Sequence, residues 1–178
     1  IFEQTGKPMR NATVTTIAPT GTISIIAGCS SGIEPVFALA FTRNVMDNDR
    51  LIEVNGQFEQ ILKEEGLYSP ELISQVAQKG NLQGIEGIPE ELQRVFVTAY
   101  EITPEWHIRM QAAFQEFTDN AVSKTVNFPR EATKEDIRDV YQLAYELGCK
   151  GVTVYRAGSR EGEVLTVGHQ EQRQEEPK

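Results

Sequence analysis

The sequence predicts an α/β fold, and three observations carry that prediction. Residues 125–129, TVNFP, and 151–156, GVTVYR, are short β-branched runs. Between them lies a helical stretch of about four turns, and both joints are short, so the three elements form a strand–helix–strand crossover with parallel pairing and a right-handed connection. At 178 residues with 39% hydrophobic content, the chain can bury one ordinary core.

Taken in order, VTTI at 14–17 is β-branched and runs into Ala18-Pro19, where the pre-proline restriction favours extended backbone. It reads as a short buried strand. Gly21 then permits a tight turn, and TISIIAG opens a short helix with Thr20 or Thr22 as its N-cap. CSSGIEP is a loop. VFALAFTR is a second extended segment, although EPVFALA fits a helix equally well.

From Asn55 the period becomes helical, with Phe58, Ile61 and Leu62 on one face until Gly66. SPELISQVAQKG repeats the pattern, with Ser69 as cap, Pro70 at the first helical position and Gly80 after the end. IPEELQRVFVTAY makes a third helix. These three read as a helical insertion beside a sheet core.

The strongest helix starts at Thr103-Pro104, where Trp106, Met110, Ala113, Phe114, Phe117 and Ala121 form an apolar stripe expected to pack into the core. After the TVNFP strand, Thr133 opens a capping box with Asp136 in place of the usual Glu. Ile137, Val140, Tyr141, Ala144 and Leu147 face one way and Gly148 ends that helix. Residues 1–160 thus form the folded part, and 161–178, almost without apolar residues, are expected to be a disordered polar tail.

A formal charge of −9 argues against a general nucleic-acid or membrane-surface binder, since phosphate-rich partners require clustered Lys and Arg. Only Cys29 and Cys149 are present, without CxxC spacing, and neither His107 nor His169 has neighbours at metal-ligand spacing. No metal site is expected, and the cysteine usage is that of a cytoplasmic protein. No apolar run approaches the roughly 20 residues that span a bilayer. The opening IFEQTGKPMRN lacks an initiator Met and reads as the middle of a longer protein.

The stretch APTGTIS carries the clearest chemistry. A strand, a glycine turn and a helix start gather free backbone N–H groups and the positive end of a helix dipole at one point, which makes an anion site. Thr20, Thr22 and Ser24 add hydroxyl donors, enough for a diphosphate; the same threonines could equally act only as helix caps. Glu34 reads as one end of a structural salt link, and both cysteines as inert small hydrophobes. Tyr155 reads as packing, with radical chemistry as the sharper alternative.

APTGTISIIAGCSSGIEPVFAL, DNAVSKTVNFP and LGCKGVTVYRAGSR, in this order, resemble the C-terminal part of the catalytic barrel of ribonucleotide reductases, most closely the class II, adenosylcobalamin-dependent enzymes. The resemblance runs from about Gln4 to Arg160. It implies the last strands and helices of a ten-stranded α/β barrel. It also implies that Pro19, Thr20, Gly21, Thr22, Ile23 and Ser24 hold the diphosphate of a ribonucleotide substrate, whose 2′-hydroxyl is replaced by hydrogen through thiyl-radical chemistry.

The radical cysteine and its Asn and Glu neighbours are expected upstream, so no catalytic residue is assigned here and the isolated segment is expected to be inactive. Adenosylcobalamin would be bound mainly by parts outside this chain. Partners implied are the rest of the reductase chain, a thioredoxin-like reductant and a second copy in a homodimer. Class I relatives carry two adjacent tyrosines on the last barrel strand; Val154-Tyr155 keeps one, leaving Tyr155 as a radical-site neighbour. Two other readings stay open: a class I or class III segment, and a non-catalytic phosphate-binding module derived from the barrel.

Overall fold

The computed structural model describes Gly6, residues 10–44 and residues 50–159; the tail expected at 161–178 lies outside the described residues. The described residues divide into two compact units, one of residues up to Glu34 with Thr103–Ser159 and one of residues from Pro35 to Ile102.

In the first unit, α1 (Gly21–Ala27), α5 (Pro104–Gln115), β3 (Thr125–Phe128), α6 (Lys134–Glu146) and β4 (Thr153–Arg156) follow one another. β3 and β4 pair in parallel, from Thr125 opposite Thr153 to Phe128 opposite Arg156, with α6 as the crossover, as the sequence predicts. The capping box is present: Thr133 Oγ1 accepts from Asp136 N at 3.2 Å and Asp136 Oδ2 accepts from Thr133 N at 2.8 Å. Ile108, Val126, Phe128, Val140 and Ala144 form this unit's core. On α6 the flanking contacts come from Ile137, as expected, and from Leu143, while Tyr141 and Leu147 are exposed.

Two expectations for this unit are corrected. Residues 14–17 are extended, but the only bridge there among the described residues is the parallel one between Ile17 and Val122, and Val14 is exposed. β-branched side chains stay uncovered where a sheet has a partner on one side only. The aromatic stripe of α5 is not core either: Trp106 is 63% and Phe117 81% exposed. α5 instead buries His107, Ile108, Gln111 and Gln115. The two glutamines of that face are held by backbone through their amide nitrogens: Gln111 Nε2 donates to Gly151 O at 2.6 Å and Gln115 Nε2 to Asn120 O at 2.7 Å, which offsets the desolvation of those groups, while Gln111 Oε1 is buried without a partner.

The second unit contains an antiparallel pair, β1 (Ala40–Asn44) and β2 (Arg50–Val54), then α2 (Gly56–Glu64), α3 (Pro70–Lys79) and α4 (Glu90–Val95). The extended alternative for VFALAFTR therefore holds from Ala40 on; β2 is a strand that local sequence does not announce. Asn55 caps α2 by accepting from Gln57 N and Phe58 N, and Ser69 caps α3 by accepting from Leu72 N. Phe58, Leu62, Ile73, Val76, Leu82 and Ile85 make a separate core with Leu39. α4 stops at Val95, earlier than its pattern suggests, where Phe96 leaves helical geometry to pack edge-on against Phe58.

Candidate functional site

The extended segment 14–17 delivers the chain to Ala18-Pro19, and α1 begins two residues later. Thr20 occupies the N-cap position in the left-handed region, at φ 51° and ψ 24°, the one described non-glycine residue with positive φ. A side chain there costs about 1–2 kcal/mol.

The hydroxyl of Thr20 makes no cap hydrogen bond. The amides of Gly21, Thr22 and Ile23, which a helix leaves without an internal acceptor, are therefore not used by their own cap. Thr20 Oγ1 instead lies 3.2 Å from Ser31 Oγ, which itself donates to Pro19 O. Ser24 is buried: its hydroxyl donates to Gly21 O at 2.8 Å and its amide to Thr20 O at 3.0 Å. Thr22 and Ile23 face outwards.

The six residues expected to form an anion cradle are thus brought into one turn, but in different roles. Gly21, Thr22 and Ile23 present amides, Thr22 presents a hydroxyl, and Ser24 braces the turn from within. Tyr155 sits elsewhere, half-buried on β4 opposite Asn127.

The loop that follows α1 is folded against the turn. Gly32, at φ +53°, comes so near that a Cβ there would lie 3.3 Å from Ala18 O. Two residues on, Glu34 reaches the entry of β3: Oε1 accepts from Thr125 N at 2.6 Å and Oε2 from Lys124 Nζ at 3.0 Å. The predicted salt link of Glu34 is therefore present.

Its partner was not predicted. Lys124 is buried, and its ammonium also meets His107 Nδ1 at 2.8 Å and Thr125 O at 3.2 Å, so three N–H donors face three acceptors. Burial pushes the Lys124 pKa below its ordinary value, and the neighbouring Glu34 carboxylate opposes that shift. His107, also buried, accepts through Nδ1 when Lys124 is charged, which leaves the other ring nitrogen protonated. A signal for Lys124 was in the sequence: it keeps the two-residue register of Val126 and Phe128, both buried on β3.

Burial raises the Cys149 thiol, and Cys29 is an exposed free thiol after α1.

The model of the ribonucleotide reductase barrel domain matches residues 3–155. The chain belongs to the ribonucleotide reductase barrel family. Among relatives, it is 55% identical over 177 residues to the vitamin B12-dependent ribonucleoside-diphosphate reductase of Thermoplasma acidophilum, covering 99% of this chain and 23% of that protein. It is 52% identical over 165 residues to the enzyme of the same description from Mycobacterium tuberculosis, covering 93% of this chain and 24% of the relative. The chain therefore spans about a quarter of the length of these reductases.

The alpha subunit of the Actinobacillus ureae class Id ribonucleotide reductase is similar in structure, with a TM-score of 0.66 at 26% identity over 88% of this chain and 30% of that one. The expected α/β barrel family is borne out, and the described strands form part of such a barrel without closing it.

Proposed function

We propose that this chain is the closing segment, residues 1–160, of the catalytic barrel of a vitamin B12-dependent ribonucleoside-diphosphate reductase, and that its Pro19–Ser24 turn holds the substrate diphosphate. The reading is supported by two relatives of that description at 52% and 55% identity, and by one observation above all. The first turn of α1 opens beyond a left-handed Thr20 whose hydroxyl is engaged by Ser31 and not by the helix's own amides.

In this reading the amides of Gly21, Thr22 and Ile23 and the Thr22 hydroxyl donate to phosphate oxygens, Pro19 and Gly21 shape the approach, and Ser24 braces the turn. The bound diphosphate fixes the ribose relative to groups elsewhere in the barrel, so the segment contributes orientation, not bond-making. Tyr155 is a radical-site neighbour on the last strand. The thiyl cysteine comes from another part of the protein, as do the cysteines that a thioredoxin-like reductant recharges. The whole enzyme acts as a cytoplasmic homodimer; no described helix is long and apolar enough to cross a membrane.

Adenosylcobalamin supplies the radical that starts turnover, but the residues described here do not fit it. His107, the one described histidine, is buried against Lys124 and offers no accessible imidazole to a corrin. Its binding belongs mainly to the rest of the enzyme. The greater identity to the vitamin B12-dependent relatives than to the class Id subunit favours this class over class I.

The test is the double substitution Thr20→Val with Thr22→Val in the full-length reductase. The Thr22 hydroxyl bond to a charged group contributes about 1.5–3 kcal/mol, and Thr20→Val also cuts the tie to Ser31, so KM for the ribonucleoside diphosphate rises at least about tenfold. An unchanged KM removes the cradle.

A further inference from the structure

Three consecutive residues at the entry of β3 hold both flanks of the turn. Upstream, Ser123 N donates to Ile17 O at 2.8 Å, two residues before Pro19. Downstream, Lys124 Nζ and Thr125 N bind the two oxygens of Glu34, at 3.0 and 2.6 Å. Behind them α5 contributes His107, whose Nδ1 takes a third contact of the same ammonium.

Between these anchors the loop is tied to the turn by Ser31, which meets Thr20 Oγ1 and Pro19 O, and by the close approach of Gly32 to Ala18 O. Lys124 and His107 are almost fully buried while the turn is exposed, so the charge cluster is not itself a ligand site. Buried hydrogen-bonded charge is costly to rearrange, because breaking one contact strands the rest. Such a cluster fixes a position.

We propose that Glu34, Lys124 and His107 are positioning residues for substrate diphosphate, acting through Ser31 on the left-handed Thr20. This rests on the cradle reading above. Loosening the cluster lets the 31–34 loop drift, and Thr20 then relaxes toward ordinary backbone and closes the open first turn of α1.

The experiment is steady-state kinetics of the full-length reductase, well below its melting temperature, for Glu34→Gln, Lys124→Met, the two combined, Ser31→Ala, and Thr20→Val with Thr22→Val as reference. The expected result is a KM for the ribonucleoside diphosphate raised about tenfold in Glu34→Gln and in Lys124→Met, with kcat changed less than about twofold. The combined variant is no worse than the poorer single one, since both remove one contact.

Ser31→Ala, a loop change outside the buried cluster, raises KM in the same direction and keeps the proposal open to refutation where Glu34→Gln or Lys124→Met fails to fold. A raised KM in the Thr20/Thr22 reference beside an unchanged KM in Glu34→Gln and Ser31→Ala overturns the positioning role and leaves the cradle standing. A reference without effect overturns the cradle, and the positioning role with it. A fall in kcat that tracks lost stability, with KM unmoved, marks the cluster as purely structural and likewise overturns the proposal.

Discussion

Lys124 and Glu34 are 90 positions apart in the chain, yet the ammonium of one lies 3.0 Å from the carboxylate of the other. The lysine side chain is 2% exposed and the glutamate side chain 24%, so the two pay unequal desolvation. That asymmetry decides what happens when each is removed.

Glu34→Gln leaves a buried ammonium without its counter-ion, whereas Lys124→Met leaves a partly hydrated carboxylate that still accepts from Thr125 N. The first is expected to destabilise the protein by about 2–3 kcal/mol and the second by about 1 kcal/mol. Denaturant unfolding of both variants checks the order.

The Glu34→Gln loss should also depend on pH. The groups facing Lys124 are Glu34, His107 and the Thr125 carbonyl, and only Glu34 holds the lysine pKa up. Without it the folded-state pKa falls further below 10.5, so the unfolded chain binds more protons between the two values. Stability of the variant relative to the parent therefore recovers as pH rises toward 10.5 and is poorest below the folded-state pKa. A pH series of unfolding curves that runs parallel for parent and variant contradicts this.

Asp136 gives the opposite sign. The backbone amide of Thr133, and then its hydroxyl, hold the Asp136 carboxyl below its ordinary 3.8. Its contribution is present above 3.8 and is lost as pH falls through the lower folded-state value. Asp136→Asn should flatten that acid limb, and Thr133→Ala should cost about 1 kcal/mol at neutral pH through loss of the cap. Thermal melts from neutral to acid pH measure both.

Two glycines with similar φ should respond differently to alanine. Gly28, at φ +64°, has open space where a Cβ would go, so Gly28→Ala should cost only the left-handed backbone penalty of about 1 kcal/mol. Gly32, at φ +53°, adds the approach to Ala18 O, and Gly32→Ala should cost about 2 kcal/mol or more and raise KM as well. Equal effects at the two sites would mean that the loop gives way freely beside the turn.

Trp106 is the only tryptophan in the chain and is largely exposed on α5. Its fluorescence in the segment alone should be that of a hydrated indole. Trp106→Ser should change stability by less than about 0.5 kcal/mol, while Ile108→Ala, from the buried face of the same helix, should cost about 2–5 kcal/mol. A blue-shifted emission from the segment alone would show that the stripe is covered.

Much of the fold could be read locally. Asn55, Ser69 and Thr133 cap helices through their own side chains, and the crossover from Thr125 to Arg156 follows from period and joint length. The turn at Pro19–Ser24 was also legible, because proline, glycine and hydroxyls at a strand end act through bonds to near neighbours. What local pattern could not give was which face of α5 is inside. Its aromatic stripe has the right period but faces outwards, and a polar face is buried where the carbonyls of Val122, Gly151 and Asn120 accept from Gln111 Nε2 and Gln115 Nε2.

By itself the sequence determined the α/β class, the helix boundaries set by caps and glycines, the family, and the place of the turn. Each depends on residues within a few positions of one another or on an ordered string of motifs. Only the tertiary structure decided that Thr20 is left-handed and that its hydroxyl turns to Ser31. It also decided that Glu34, Lys124 and His107 meet under the loop. Those contacts join segments up to 90 residues apart, and a charge is stable in the interior only where such distant partners converge on it.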